Sequence, residues 1–177
     1  EKSVKTADSE AREKMHNAST MAGMAFANAF LGMSHSMAHK IGGVHHTVHG
    51  RTNAILLPYV IRYNGTRPSK TTTWPKYNYW KADEKFQDIA KMLGLPHSTP
   101  EEAVEAYAKA VYELGVAVGI KMNFKDQGID EKAWKDSLHE IALLAYEDQC
   151  SPANPRLPMV ADMEEIMADA YYGYAER

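Results

Sequence analysis

Five of the eight histidines fall within one short stretch of the chain, where an even spread would put fewer than one. They are His35, His39, His45, His46 and His49. Imidazole is a ligand for Zn, Fe, Ni and Cu, and it also exchanges a proton near neutral pH. The clustering therefore predicts a metal site or an acid–base site.

The spacing of the first two histidines fits a helix. His35 and His39 are four residues apart and would share one helical face, before Gly42–Gly43, which we expect to break the helix. The stretch contains no carboxylate, so an acidic ligand would have to come from elsewhere. A zincin protease is excluded because Ser36 stands where its motif needs glutamate, and a zinc knuckle because the cysteine ligands are missing. Two ordinary core or surface histidines remain the alternative to a site.

The bulk composition excludes several classes of partner. A net charge of −3 gives no sign of a nucleic-acid or anionic-membrane partner, and we expect neither. The longest apolar run, Met21–Met33, is too short and too interrupted to cross a bilayer. The single cysteine, Cys150, fits a reducing compartment, which favours a cytoplasmic protein.

The apolar pattern predicts an all-α fold of about seven helices, in one domain over residues 1–177. Asp8 or Ser9, Thr99 and Asp130 are suited to cap the starts of three helices. From Met21 onward the first long helix is apolar on all sides, as is typical of a central, buried helix.

The middle of the chain is harder to assign from its pattern. Residues 54–61 form a continuous apolar run that periodicity alone cannot assign to strand or helix. Pro58 argues against a central strand, so we favour a buried helix that ends near Asn64–Gly65. The prolines and threonines that follow predict an irregular loop up to Trp80.

Several segments resemble the iron-dependent (group III) alcohol dehydrogenases, in order and in spacing. They are Ala22 to Ala29, Gly32 to Gly42, and His49-Gly50. Further segments resemble the alcohol dehydrogenase part of the bifunctional aldehyde-alcohol dehydrogenases more closely. They are Ala11 to Ala18, Ile61 to Asn64, and the run Asp148-Gln149-Cys150-Ser151-Pro152-Ala153-Asn154-Pro155-Arg156.

The resemblance implies a fold and an incomplete metal site. It implies that the chain is the bundle-like C-terminal helical domain, a fragment without the Rossmann-like half that binds NAD(H). The family holds a divalent metal, usually Fe²⁺ and sometimes Zn²⁺, with one aspartate and three histidines. His35 and His49 match the last two of these ligands. The other two are expected in a D-x-x-x-H motif that should precede Glu1.

The resemblance also implies roles for three other side chains. His39 matches a histidine near the nicotinamide and the alcohol, where it would handle protons. Phe26 resembles an aromatic residue that lines the substrate pocket, and Cys150 belongs to a motif that closes near the active site and the cofactor. His45 and His46 have no counterpart role and are interpreted as loop residues.

The function implied for the whole enzyme is the interconversion of a short-chain aldehyde and its primary alcohol with NAD(H). Its partners would be these small molecules and further copies of itself, in a homo-oligomer or a filament. We expect the isolated chain to be inactive. A non-catalytic helical module that serves assembly or metal binding is the alternative.

Overall fold

The computed structural model describes residues 1–68 and 80–174, so most of the predicted irregular loop lies outside the described residues. The described residues contain helices and no strand, which confirms the all-α fold. The α-helices are α1 (Lys2–Lys5), α2 (Ser9–Ala29), α3 (Met33–His45), α4 (His49–Gly65), α5 (Ala82–Met92), α6 (Pro100–Ala117), α7 (Glu131–Tyr146) and α8 (Val160–Tyr172). A short 3-10 helix, Ser151–Ala153, lies between α7 and α8.

The three predicted helix caps are present. The side chains of Asp8, Thr99 and Asp130 each accept a hydrogen bond from the backbone N–H three residues later, at 2.8, 3.1 and 2.9 Å. Each bond satisfies a donor that the first turn of a helix cannot pair internally. Pro58 lies inside α4, as predicted for a helix rather than a strand.

The main core lies between α3, α4, α7 and α8. Its largest fully buried side chains come from these helices and from the segment before α7; they include Met33, Met37, Ile41, Ile55, Leu56, Phe124, Ile141, Met163, Met167 and Tyr171. Helix α6 packs against α4 on the other side and against α5. The two helices that carry the histidine stretch, α3 and α4, are therefore fixed by the core.

The prediction that α2 is central and buried is wrong. No residue of α2 is buried, and Met21, Met24 and Phe26 are 68, 65 and 46 % exposed. An apolar helix is buried only where another element covers it, and the main contacts of α2 within the described residues are with the short α1. No helix of the described residues, α2 included, is long and apolar enough to cross a membrane.

The expected break at Gly42–Gly43 is also wrong, because α3 continues to His45. Two glycines cost a helix about 1 kcal/mol each relative to alanine, but the packing of Met37 and Ile41 in the core keeps α3 helical. His45 is thus a helical residue and not a loop residue. Its Nε2 lies 3.0 Å from Oγ of Ser137, which ties the end of α3 to α7.

Candidate active site

Helices α3 and α4 bring three of the clustered histidines to one place. His35 and His39 lie one turn apart near the start of α3, and His49 is the first residue of α4. Between the helices, His46 adopts the left-handed conformation, with φ 54° and ψ 35°, which reverses the chain within three residues. The buried Thr52 supports this turn, because its hydroxyl lies 2.6 Å from that of Thr47.

The imidazole rings of these three residues are neighbours. The ring centroids of His35 and His49 are 5.4 Å apart, and those of His39 and His49 are 5.3 Å apart with an interplanar angle of 15°. His35 and His39 are 6.3 Å apart. The structure therefore juxtaposes the two predicted metal ligands and the predicted proton-handling residue, from opposite ends of a fifteen-residue segment.

The surroundings of His35 favour its neutral form. Burial lowers its pKa, and the nearby His49 and His39 lower it further because a second positive charge beside them is unfavourable. A neutral imidazole is the form that binds a metal ion. His35 is thus in the ligating state near neutral pH.

A polar bridge from α3 to α4 holds the ring of His49. The side-chain amide of Asn53 lies 3.2 Å from Nε2 of His49, and its Oδ1 accepts a hydrogen bond from the Ser34 hydroxyl at 2.9 Å. Ser34 is buried directly beside His35. The orientation of His49 relative to His35 is therefore set by a contact between the two helices and not by the turn alone.

A buried carboxylate from the loop after α7 lies against the histidines. Asp148 Oδ2 lies 3.2 Å from Nδ1 of His39 and 2.9 Å from Nζ of Lys40, and Oδ1 accepts a hydrogen bond from the Cys150 N–H at 3.0 Å. Burial would raise the pKa of Asp148, but the hydrogen bonds from Lys40, the Cys150 N–H and His39 together hold it below its usual range. Asp148 is therefore ionised at neutral pH.

Sequence reasoning did not identify Asp148, Lys40 or Asn53 as site residues. Asp148 is 109 residues from His39 in the chain, and no local pattern joins them. The one available signal was its place at the start of the run Asp148 to Arg156, which carries part of the family resemblance. The partners of the histidines thus depend on tertiary contacts.

The loop that carries Asp148 is itself pinned to the start of α3. The hydroxyls of Ser151 and Ser36 are 3.0 Å apart in the core. Asn154 Oδ1 accepts a hydrogen bond from the Met33 N–H at 3.2 Å, and its amide donates to Asn64 Oδ1 at 2.7 Å. Two hydrogen bonds therefore join the loop to the first turn of α3.

Two different sets of side chains could hold a cation here. Ligand atoms of His39, Asp148 and Cys150 lie within 4.8 Å of one another. However, the Lys40 ammonium already contacts the Asp148 carboxylate. Burial and the hydrogen bond to Asp148 also raise the pKa of the Cys150 thiol to about 11, so Cys150 is a neutral thiol near neutral pH when no metal is bound. The pair His35 and His49 fits a metal better, because both are imidazoles and His35 is held neutral.

The pair supplies only part of a coordination sphere. A divalent transition metal in a catalytic site takes three or more protein ligands, and His35 and His49 supply two. Cys150, a predicted cofactor contact, is buried beside the site and 1 % exposed. Phe26, the predicted substrate-pocket residue, lies on the exposed helix α2 and is itself 46 % exposed.

Comparison with known proteins identifies relatives of similar sequence. The chain is 78 % identical over all 177 residues to the aldehyde-alcohol dehydrogenase of Streptococcus pneumoniae serotype 2, of which it covers 20 %. It is 61 % identical over 168 residues, or 95 % of its length, to aldehyde-alcohol dehydrogenase 2 of Entamoeba histolytica, of which it covers 19 %. The chain thus spans about a fifth of the length of these relatives.

Solved structures share the fold. An alcohol dehydrogenase from Oenococcus oeni superimposes with a TM-score of 0.80 at 31 % sequence identity, over 96 % of this chain and 40 % of that one. Residues 1–171 match the family described as Fe-containing alcohol dehydrogenase, C-terminal. The chain therefore belongs to the Fe-containing alcohol dehydrogenase family and corresponds to the C-terminal part of its members.

Proposed function

We propose that this chain is the metal-binding helical part of an oxidoreductase that interconverts short-chain aldehydes and primary alcohols with NAD(H). The observation that carries the proposal is the meeting of His35, His39 and His49 at the junction of α3 and α4. The relatives that are named aldehyde-alcohol dehydrogenases support the same reaction class.

In this proposal His35 and His49 are ligands of a divalent metal, Fe²⁺ or alternatively Zn²⁺. When bound, such an ion acts as a Lewis acid on the oxygen of the aldehyde or alcohol. His35 contributes a neutral imidazole, and the Asn53 bridge keeps His49 beside it. His39 lies against His49 and is partly exposed to solvent, so it can pass a proton between the substrate oxygen and water.

The remaining parts of the catalytic site would lie elsewhere in a longer polypeptide. The missing ligands would come from a D-x-x-x-H motif, and the NAD(H) site mainly from a Rossmann-like half. The share of the relatives that this chain spans supports this division. Phe26 would reach the substrate pocket only when α2 faces the Rossmann-like half. Cys150 would likewise reach the cofactor only when the 148–156 loop faces that half. By itself the chain is therefore proposed to be inactive.

A histidine variant tests the proposal in the longer polypeptide. We expect His49→Ala to lose both bound metal and the metal-dependent formation of NADH from ethanol and NAD. His139→Ala is the matched control, because His139 is a 78 % exposed histidine on α7 that pairs with Glu164; it should retain both. Near-normal turnover with the metal retained in His49→Ala would contradict the assignment.

The isolated chain provides a second test. With ethanol, NAD and added Fe²⁺ it should form no NADH, and measurable NADH formation would overturn the proposed division into two halves.

A non-catalytic module for assembly is the second candidate function. It is favoured by α2, whose exposed apolar side chains offer a surface for another helix or another copy. If the longer polypeptide binds no metal and is inactive but oligomerises through α2, this second function is the correct one.

A further inference from the structure

The carboxylate of Asp148 is held by three donors in a nearly closed site. Its side chain is 7 % exposed. Oδ2 faces both His39 Nδ1 and the Lys40 ammonium, while Oδ1 is occupied by the backbone N–H of Cys150. The last contact fixes the carboxylate plane, because Cys150 belongs to the same tight turn and is itself buried.

An ionised carboxylate can accept hydrogen bonds but cannot donate one. The ring nitrogen of His39 that faces Asp148 must therefore carry a proton, and this nitrogen is Nδ1. In a neutral imidazole only one nitrogen is protonated. In the neutral form of His39 the lone pair is consequently at Nε2.

The ring of His39 is held from a second side as well. It stacks on the ring of His49 at a centroid distance of 5.3 Å and an angle of 15°. A 180° rotation about the Cβ–Cγ bond would put Cδ2 in the place of Nδ1 and lose the bond to Asp148, and a tilt would lose the stacking. The side chain thus has one favoured orientation next to a proposed metal ligand.

We propose that Asp148 is a positioning residue that fixes His39 as the Nδ1–H tautomer and keeps Nε2 free to accept a proton beside His49. This inference rests on the proposed function, in which His39 handles the proton of the alcohol. When the alcohol is oxidised, its carbon gives a hydride to NAD and its hydroxyl proton passes to Nε2, which leaves an imidazolium whose Nδ1–H stays on Asp148. When an aldehyde is reduced, its carbon takes a hydride from NADH and the proton returns from Nε2 to the oxygen.

In this proposal Asp148 is not a metal ligand. Lys40 already places a positive charge 2.9 Å from the carboxylate, which disfavours a cation at the same oxygen. Carboxylates that orient a metal-ligating histidine typically change metal affinity or activity by about 10–100-fold when they are removed. The effect expected for Asp148 is of this size and acts through His39.

The tautomer can be measured directly in the ¹⁵N-labelled 177-residue chain. Long-range ¹H–¹⁵N correlations, assigned with a His39→Gln variant, should give a protonated Nδ1 and an unprotonated Nε2 in the wild type at mildly alkaline pH. In Asp148→Asn the population should move toward Nε2–H. Asp136→Asn, at a 63 % exposed carboxylate on α7, is the control and should leave the His39 signals unchanged.

Other outcomes overturn the proposal. A wild-type His39 with its proton on Nε2 would do so, even if Asp148→Asn fails to fold. Lys40→Met keeps the carboxylate and should keep the Nδ1–H tautomer; loss of that tautomer would assign the effect to Lys40 instead.

Kinetics of the longer polypeptide complete the test. We expect Asp148→Asn to lower kcat by about 10–100-fold with little change in KM and with the metal content unchanged. Unchanged kcat, or loss of the metal, would refute a positioning role. If the proposed function itself is wrong, the wild-type protein will bind no metal and show no turnover, whatever the His39 tautomer is.

Discussion

Replacing Gly32 with alanine should destabilise the protein by about 1–3 kcal/mol, the cost of adding a methyl group to a filled site. A Cβ at this position would lie 2.7 Å from Oδ1 of Asn154 and 3.7 Å from its Cα. Asn154 cannot simply turn away, because the same oxygen accepts the bond from the Met33 N–H. The φ of Gly32 is −124°, which alanine adopts without strain, so the expected cost is steric.

The assay is urea or thermal unfolding followed by far-UV circular dichroism. For a chain of this size, 1–3 kcal/mol corresponds to a fall in Tm of roughly 2–12 °C. Gly43→Ala is the matched control inside α3, the helix that Gly32 precedes, because an added Cβ at Gly43 would meet nothing within 4 Å. Because alanine is about 1 kcal/mol more favourable than glycine in a helix interior, Gly43→Ala should raise the stability.

The opposite signs of the two changes make the comparison decisive. If Gly32→Ala is neutral, or if both variants lose the same stability, the contact between Asn154 and the start of α3 is not the constraint described above. The result also bears on the site, because His35 lies within the first turn of α3.

Three further predictions concern burial. Cys150 is 1 % exposed and its pKa is raised to about 11, so near neutral pH iodoacetamide should label it only after unfolding; rapid labelling of the folded chain would contradict this. Phe124→Ala should cost about 3–5 kcal/mol in chemical denaturation, whereas Phe26→Ala should change stability by about 0.5 kcal/mol or less, and equal losses would refute the contrast. Amide hydrogen exchange should be much faster in α2 than in α4, and equal protection would mean that α2 is covered.

The features that were predictable from the sequence are those that depend on neighbouring residues. The caps at Asp8, Thr99 and Asp130 are local, because each side chain binds a backbone N–H three residues away. The i, i+4 relation of His35 and His39 is equally local, and α3 has it.

The errors arose where packing decides the outcome. Gly42–Gly43 remains helical because α3 is anchored in the core. The low helix propensity of glycine does not take such tertiary packing into account. The apolar pattern of α2 predicts burial, but burial also needs a covering element, and the described residues leave α2 uncovered. A sequence pattern indicates which secondary structure a segment prefers. It does not indicate which other elements will pack against that segment.

The residues that contact the histidines could not be predicted from the sequence pattern either, because these contacts also depend on tertiary packing. Asp148 meets His39 across 109 positions of the chain, and Asn154 meets Met33 across 121. Only the resemblance drew attention to the loop that holds both. The resemblance likewise supplied the pairing of His35 with His49, which the histidine spacing alone left open.

The central claim is that His35 and His49 bind the metal, that His39 handles the proton, and that Asp148 positions His39. Anomalous X-ray scattering at the iron edge, from crystals of the longer polypeptide loaded with Fe²⁺, tests it most directly. We expect one ion in contact with nitrogen atoms of His35 and His49, with Asp148 still bound to His39 and Lys40. An ion coordinated by His39, Asp148 and Cys150 instead would contradict it.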